Sequence, residues 1–153
     1  NGRALVIAPM FHLAVGALIH GHVMAGGTSV IVPMFTPVAT LQAIQQHRVT
    51  HMLLVPTMIQ LATDHPDAGN YDLSSLQMLT YGGSVISEAV LQRAMKRFPN
   101  SGFLQAYGMT ELSPCATYLS ARDHRGESGR REPAADDIRS VASRVVPPRE
   151  SAV

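Results

Sequence analysis

The sequence predicts an α/β fold, a mainly parallel sheet with helices on both faces. Three observations predict it. Short apolar or β-branched runs recur between stretches of helical period. The connections between them are brief, so each strand, helix and next strand reads as a right-handed crossover. Thr28 to Val32 shows no polar alternation, as a strand buried on both faces requires.

Each element has a local cause. Ala4 to Ala8 reads as a buried strand ending at Pro9, followed by an apolar helix over Leu13 to Met24 that Gly26-Gly27 stops. After the strand Thr28 to Val32, Thr36 is an N-cap and Pro37 a first helical residue, opening a helix to about His47 with Val38, Leu41 and Ile44 on one face. His51 to Val55 is the next strand, and Pro56 opens a helix to about Asp64. A polar connection over Pro66 to Ser75 precedes a strand at Leu76 to Thr80. Gly82-Gly83-Ser84 turns the chain into a helix capped by Ser87, with Val90, Leu91, Ala94, Met95 and Phe98 as its apolar stripe. Strands at Phe103 to Ala106 and Ala116 to Leu119 complete the ordered part.

The 153 residues are one domain's worth of chain, and 46% are hydrophobic, enough for a core without staples. Twelve basic against 11 acidic residues provide no field that would draw nucleic acid or an anionic membrane. The single cysteine, Cys115, excludes an intramolecular disulfide and fits a reducing, cytoplasmic setting; it reads as a small buried apolar residue. The apolar run from Leu13 to Ile19 is too short to span a bilayer, and it lacks the basic flank and cleavage site of a signal peptide. Residues 1–120 carry 10 charged side chains and residues 121–153 carry 13, which sets an expected boundary near Ser120. Residues 1–120 are the expected core; residues 121–153 are a charged tail with no apolar period, expected to be largely disordered. A short helix at Ala135 to Arg144, stopped by Pro147-Pro148, is the one element the tail admits. A start at Asn1 suggests a piece of a longer product.

In parallel sheets ligands sit beyond the carboxyl ends of strands. Four polar or glycine-rich clusters fall there: Pro9 to His12, Pro56-Thr57, Tyr81 to Ser84, and Tyr107-Gly108-Met109-Thr110-Glu111. The last offers a ring to stack on a base, a hydroxyl for a phosphate oxygen and a carboxylate for Mg²⁺.

Taken in order and spacing, Pro9-Met10-Phe11-His12, Val55-Pro56-Thr57, Asp72-Leu73-Ser74-Ser75-Leu76, Tyr81-Gly82-Gly83-Ser84 and Gln105 to Glu111 resemble the adenylate-forming (AMP-binding) acyl-CoA synthetases over about Leu5 to Ser120. The chain looks like a central fragment of that family's large N-terminal domain. The resemblance implies ATP-dependent activation of a small-molecule carboxylic acid to an acyl-adenylate, then transfer to coenzyme A, with Mg²⁺ as cofactor. It implies that Tyr107 stacks on adenine, Thr110 binds the α-phosphate and Glu111 contacts the metal. Gly82, Gly83 and Ser84 would line the adenine and acyl pocket by close backbone approach, with Gln105 and Gly108 completing the nucleotide-binding set. His12 would stand at the mouth of the acyl pocket, beside Thr110 and Glu111 in the catalytic set.

Two family parts are not seen: a phosphate loop before the first strand, and a C-terminal domain bearing a catalytic lysine. The sole lysine, Lys96, falls on the polar side of its helix. The chain alone is therefore expected not to turn over. Residues 1–63 contain no Asp or Glu, which disfavours an amino-acid substrate because its ammonium would be buried unpaired. Met10, Phe11, Leu13, Val55, Met58 and Met109 suit a fatty or aromatic acid, although each singly reads as ordinary core.

Rival readings are a non-catalytic nucleotide-binding or interaction module and a non-functional truncated product with exposed apolar faces. His20 and His22 point to different sides of a helix and make a poor metal site. Gly83-Ser84 lacks the elbow of a serine hydrolase.

Overall fold

The computed structural model describes residues 2–112 and 115–125. They form one six-stranded sheet in the order β2-β1-β3-β4-β5-β6, with β1 Arg3–Val6, β2 Thr28–Ile31, β3 His51–Leu54, β4 Met78–Gly82, β5 Gly102–Tyr107 and β6 Thr117–Leu119. The first five strands pair in parallel. The sixth runs antiparallel against β5, with Gln105 opposite Leu119 and Tyr107 opposite Thr117. The helices are α1 Leu13–Met24, α2 Pro37–His47, α3 Pro56–Thr63, α4 Glu88–Arg97 and the single turn α5 Ala121–His124.

Alternate residues of the strands build the core. Leu5, Met52, Leu54, Leu79, Tyr81 and Phe103 face a layer formed by Leu41 and Ile44 of α2, Ile59 of α3, and Val90 and Ala94 of α4. Ala4 and Val6 are equally buried, and α1 packs on β1 and β2 with Val15 as its one buried residue. The rest of α1 is far less covered: Val23 and Met24 are exposed although apolar.

The caps act as their residue types dictate. Thr36 Oγ1 accepts from the Ala39 N–H at 3.0 Å, and α2 stops where Arg48 adopts a left-handed conformation, φ 49°. Ser87 Oγ accepts from the Val90 N–H at 3.4 Å. Strand β4 begins two residues later than expected. The Leu76 N–H still donates to Leu73 O, and the Gln77 and Met78 N–H groups share Thr50 O, so the chain leaves its turn only at Met78. Strand β5 extends to Tyr107, one residue beyond expectation, and a short 3₁₀ turn, Pro66–Asn70, occupies part of the connection expected to be irregular.

Order does not stop at Ser120. Ser120 Oγ and the Asp123 carboxylate form a reciprocal capping box that starts α5, and α5 packs on β5. Residues 126–153, with the expected helix at Ala135 to Arg144, lie outside the described residues.

At the amino end of the sheet, His51 on β3 is half-buried, its Nδ1 2.8 Å from Thr50 Oγ1. The ring of His22 on α1 meets it edge-on at 4.9 Å. Burial, and secondly the neighbouring His22, hold the His51 imidazole below its ordinary value. The unfolded chain then binds the proton more readily, so this contribution is complete above the ordinary imidazole range and is lost as pH falls through the lower, folded-state value. Urea midpoints are expected to be lower at pH 5.5 than at pH 7.5, with part of the drop absent in His51→Gln. An equal drop in that variant would assign the acid sensitivity elsewhere.

Candidate functional site

Two turns form the candidate site, because β4 and β5 are adjacent and in register. Gly82 ends β4 opposite Ala106 of β5, and Tyr81 lies opposite Gln105. The chain leaves β4 through Gly83, whose φ of +79° is left-handed and favours glycine. It leaves β5 through Tyr107 into Gly108-Met109 and a 3₁₀ turn at Thr110–Leu112, closed by the Leu112 N–H donating to Met109 O at 3.0 Å. Ser84, Tyr107, Thr110 and Glu111 are all exposed there, the Tyr107 ring 37% so. A base-stacking face, a hydroxyl and a hard oxygen ligand therefore project from the same edge. One exposed carboxylate fits a metal that takes most of its ligands from phosphate and water, as Mg²⁺ does.

The glycines differ in what they do. A Cβ on Gly82 would collide with the Ala106 carbonyl oxygen, so its missing side chain serves the approach of two strands. A Cβ on Gly83 would lie 3.8 Å from Val55 Cγ1, in ordinary contact with the end of β3. Space is therefore demanded at Gly82 by the protein itself, a cause that the expected ligand approach did not include.

His12 stands apart. It occupies the N-cap position of α1 without a capping hydrogen bond from its side chain, and its ring is 4.7 Å from that of Phe11. It follows β1, three strands from β5, which at the usual strand spacing is roughly 14 Å. The structure thus joins Gly82, Gly83, Ser84, Gln105, Tyr107, Gly108, Thr110 and Glu111 in one neighbourhood and leaves His12 at its far margin. Lys96 is exposed on α4.

Of the apolar residues expected to suit an acyl group, Met10, Phe11, Leu13, Val55 and Met109 are exposed, between 39% and 85%. Met58 instead packs against the core. Five large apolar side chains held out of the core at or after the carboxyl ends of strands are surface that a ligand or further protein can cover.

Sequence reasoning missed two contacts around these turns. Cys115, expected to be buried, is partly exposed, with its thiol donating to Thr117 O at 3.3 Å. It also lies 3.6 Å from Tyr107 O, while the Ala116 N–H donates to that carbonyl at 2.8 Å. A hydrogen bond with Cys115 holds the exposed Tyr118 phenol above its ordinary range. The second contact is between Tyr81 and His124, whose hydroxyl and Nε2 are 2.8 Å apart. Its sequence signal was the Ser120-x-x-Asp123 capping box.

The mainly parallel sheet, with both turns at its carboxyl edge, defines an α/β domain of the kind that places ligands beyond its strand ends. The family model of the AMP-binding enzymes matches residues 1–149, and the chain belongs to that family. It is 38% identical over 124 residues to the medium/long-chain-fatty-acid–CoA ligase FadD8 of Mycobacterium tuberculosis, covering 81% of this chain and 21% of that protein. It is 42% identical over 126 residues to a feruloyl-CoA synthase of an Amycolatopsis species, covering 82% of this chain and 25% of that protein. Among solved structures, the amide bond synthetase McbA of Marinactinospora thermotolerans superposes with a TM-score of 0.75 at 31% identity, over 86% of this chain and 25% of that one. The N-terminal domain of FACL13 from Mycobacterium tuberculosis superposes with a TM-score of 0.74 at 25% identity, over 84% of this chain and 32% of that one. The chain thus spans about a quarter of the length of the curated relatives it matches. Among the described residues, no helix is long and apolar enough to cross a membrane, and no group of three or more His, Cys, Asp or Glu could hold a metal ion.

Proposed function

We propose that this chain supplies the nucleotide-gripping edge of an AMP-forming acid–thiol ligase. A carboxylate oxygen attacks the α-phosphorus of ATP and pyrophosphate leaves; the thiol of coenzyme A then attacks the acyl carbon and AMP leaves. The observation that carries this reading is the register of Gly82 with Ala106, which sets the Gly82–Ser84 and Tyr107–Glu111 turns side by side. Tyr107 stacks on adenine, Thr110 donates to the α-phosphate and Glu111 holds Mg²⁺, which when bound offsets phosphate charge. Gln105, Gly108 and Ser84 complete the lining, and His12 borders the acyl side. The exposed Met10, Phe11, Leu13, Val55 and Met109 suit a fatty or aromatic acid. Fatty-acid–CoA ligase and feruloyl-CoA synthase relatives support the same classes.

The sole lysine, Lys96, is exposed on α4 and has no assigned part at the phosphoryl centre. The isolated chain is expected to bind without turning over. Titration calorimetry with a non-hydrolysable acyl-adenylate tests the site. Tyr107→Ala is expected to weaken binding by roughly 1–3 kcal/mol, the worth of a base stacked on a ring, and Glu111→Ala to remove the Mg²⁺ dependence. Binding indifferent to Tyr107 would refute the assignment. Nucleotide binding by an intact longer protein without pyrophosphate release would favour the non-catalytic module. Concentration-dependent self-association with no nucleotide binding would favour a non-functional product, whose exposed apolar α1 would account for it.

A further inference from the structure

His124 makes two hydrogen bonds that fix its protons. Its Nδ1 is 2.7 Å from the Ser120 carbonyl, which can only accept, so Nδ1 carries the hydrogen. Nε2 is then a bare acceptor, 2.8 Å from the Tyr81 hydroxyl, which donates to it. The rings meet edge-on at 5.7 Å, and Phe103 of β5 lies 6.4 Å from the imidazole. Tyr81 is buried, 1% exposed, immediately before the Gly82–Gly83 turn. Ser120 follows β6, the strand that returns along β5, and the Ala116 N–H just before β6 donates to Tyr107 O.

We infer that His124 is a positioning residue: by bridging Ser120 to Tyr81 it ties β6, and through β6 the Tyr107–Leu112 turn, to the strand that carries Gly82 and Gly83. The inference rests on the proposed nucleotide site for its functional meaning, and on the hydrogen bonds alone for its structural content.

The clasp is sensitive to protons. Charged or titratable groups around the imidazole are Tyr81 from β4, and Asp123 and Arg125 from its own turn, while β5 contributes the apolar Phe103. Burial dominates and holds the imidazole below its ordinary value, against smaller opposing effects of the Ser120 hydrogen bond and Asp123. Burial keeps the Tyr81 phenol protonated far above the ordinary tyrosine range, so it remains a donor. A proton on Nε2 would force that bond to reverse, strand the phenol hydrogen and bury a charge. The clasp is therefore closed above the ordinary imidazole range and opens as pH falls through the lower folded-state value.

Amide hydrogen exchange on the full chain, expressed as protection factors at pH 7.5 and 5.5, reads this directly. Tyr81→Phe is expected to lower protection at Ala116 and Leu112 about fivefold at pH 7.5, the usual worth of one hydrogen bond. The amide of Val32, bonded to Val6 O at the far edge, should not move. The unsubstituted chain should lose at least a similar factor at pH 5.5, whereas His124→Gln, whose side-chain carbonyl still accepts from Tyr81, should lose less, keeping only the part that His51 contributes. Protection at Ala116 and Leu112 that ignores both pH and Tyr81→Phe overturns the inference, as does a loss in Tyr81→Phe at pH 7.5 no larger there than at Val32. Acyl-adenylate affinity measured on the same samples separates the two ideas. Affinity unchanged where protection falls overturns the positioning role; no affinity in the unsubstituted chain counts against the nucleotide site, and exchange alone then decides the clasp.

Discussion

Alanine at position 82 is expected to destabilise the chain by about 3 kcal/mol, near the top of the range for forcing atoms into a filled space. The cause is geometric: the added Cβ has the backbone carbonyl of Ala106 in its way, and a carbonyl in a sheet ladder cannot swing aside as a flexible side chain can. The β4–β5 ladder must part locally, and the two turns of the candidate site separate with it. Gly83→Ala is the informative companion. There the Cβ meets only Val55, and the cost is the left-handed backbone, roughly 1–2 kcal/mol. Urea unfolding of both variants checks the order; Gly82→Ala no less stable than Gly83→Ala would contradict the register of β4 and β5.

Phe103→Ala is expected to cost about 3–5 kcal/mol, as is usual for deleting a buried aromatic ring. Phe103 is 2% exposed and belongs to the same buried cluster as Leu79 and Tyr81. Against a typical domain stability of roughly 5–15 kcal/mol, that loss removes a large share of the folded population's margin. Phe103→Leu, which keeps most of the volume, should recover more than half. A loss below about 1 kcal/mol for Phe103→Ala would mean that β5 is not held by its inward face.

Both residues show where sequence was informative and where it was silent. Phe103 is legible because a buried strand announces itself by apolar, β-forming residues, and the same logic locates the strands beginning near Ala4, Thr28 and His51. Thr36-Pro37 and Ser87 mark their helix starts because capping is local chemistry. Contacts between segments are not local. The pressure of Ala106 on Gly82, and of His124 on Tyr81, joins residues 24 and 43 positions apart, and no period or turn rule carries that information. Leu76 reads as strand by composition, yet a turn hydrogen bond to Leu73 claims its backbone. The run from Arg122 to Arg125 reads as tail by charge, yet Ser120 and Asp123 cap it. The candidate site's expected location came from the rule for parallel sheets, while the particular partners of its residues followed only from register.

The strand order β2-β1-β3-β4-β5-β6 also bears on how the chain is made. β3 is laid beside β1 on the flank opposite β2, and from β4 onward every strand is laid beside the one synthesised just before it, so a nascent chain emerging amino-terminus first can extend the sheet without reopening it. Only β2 takes the opposite flank. The turns of the candidate site belong to strands added late, β4 and β5, with β6 after them. During synthesis the scaffold can therefore be in place before the residues that would grip a ligand leave the ribosome.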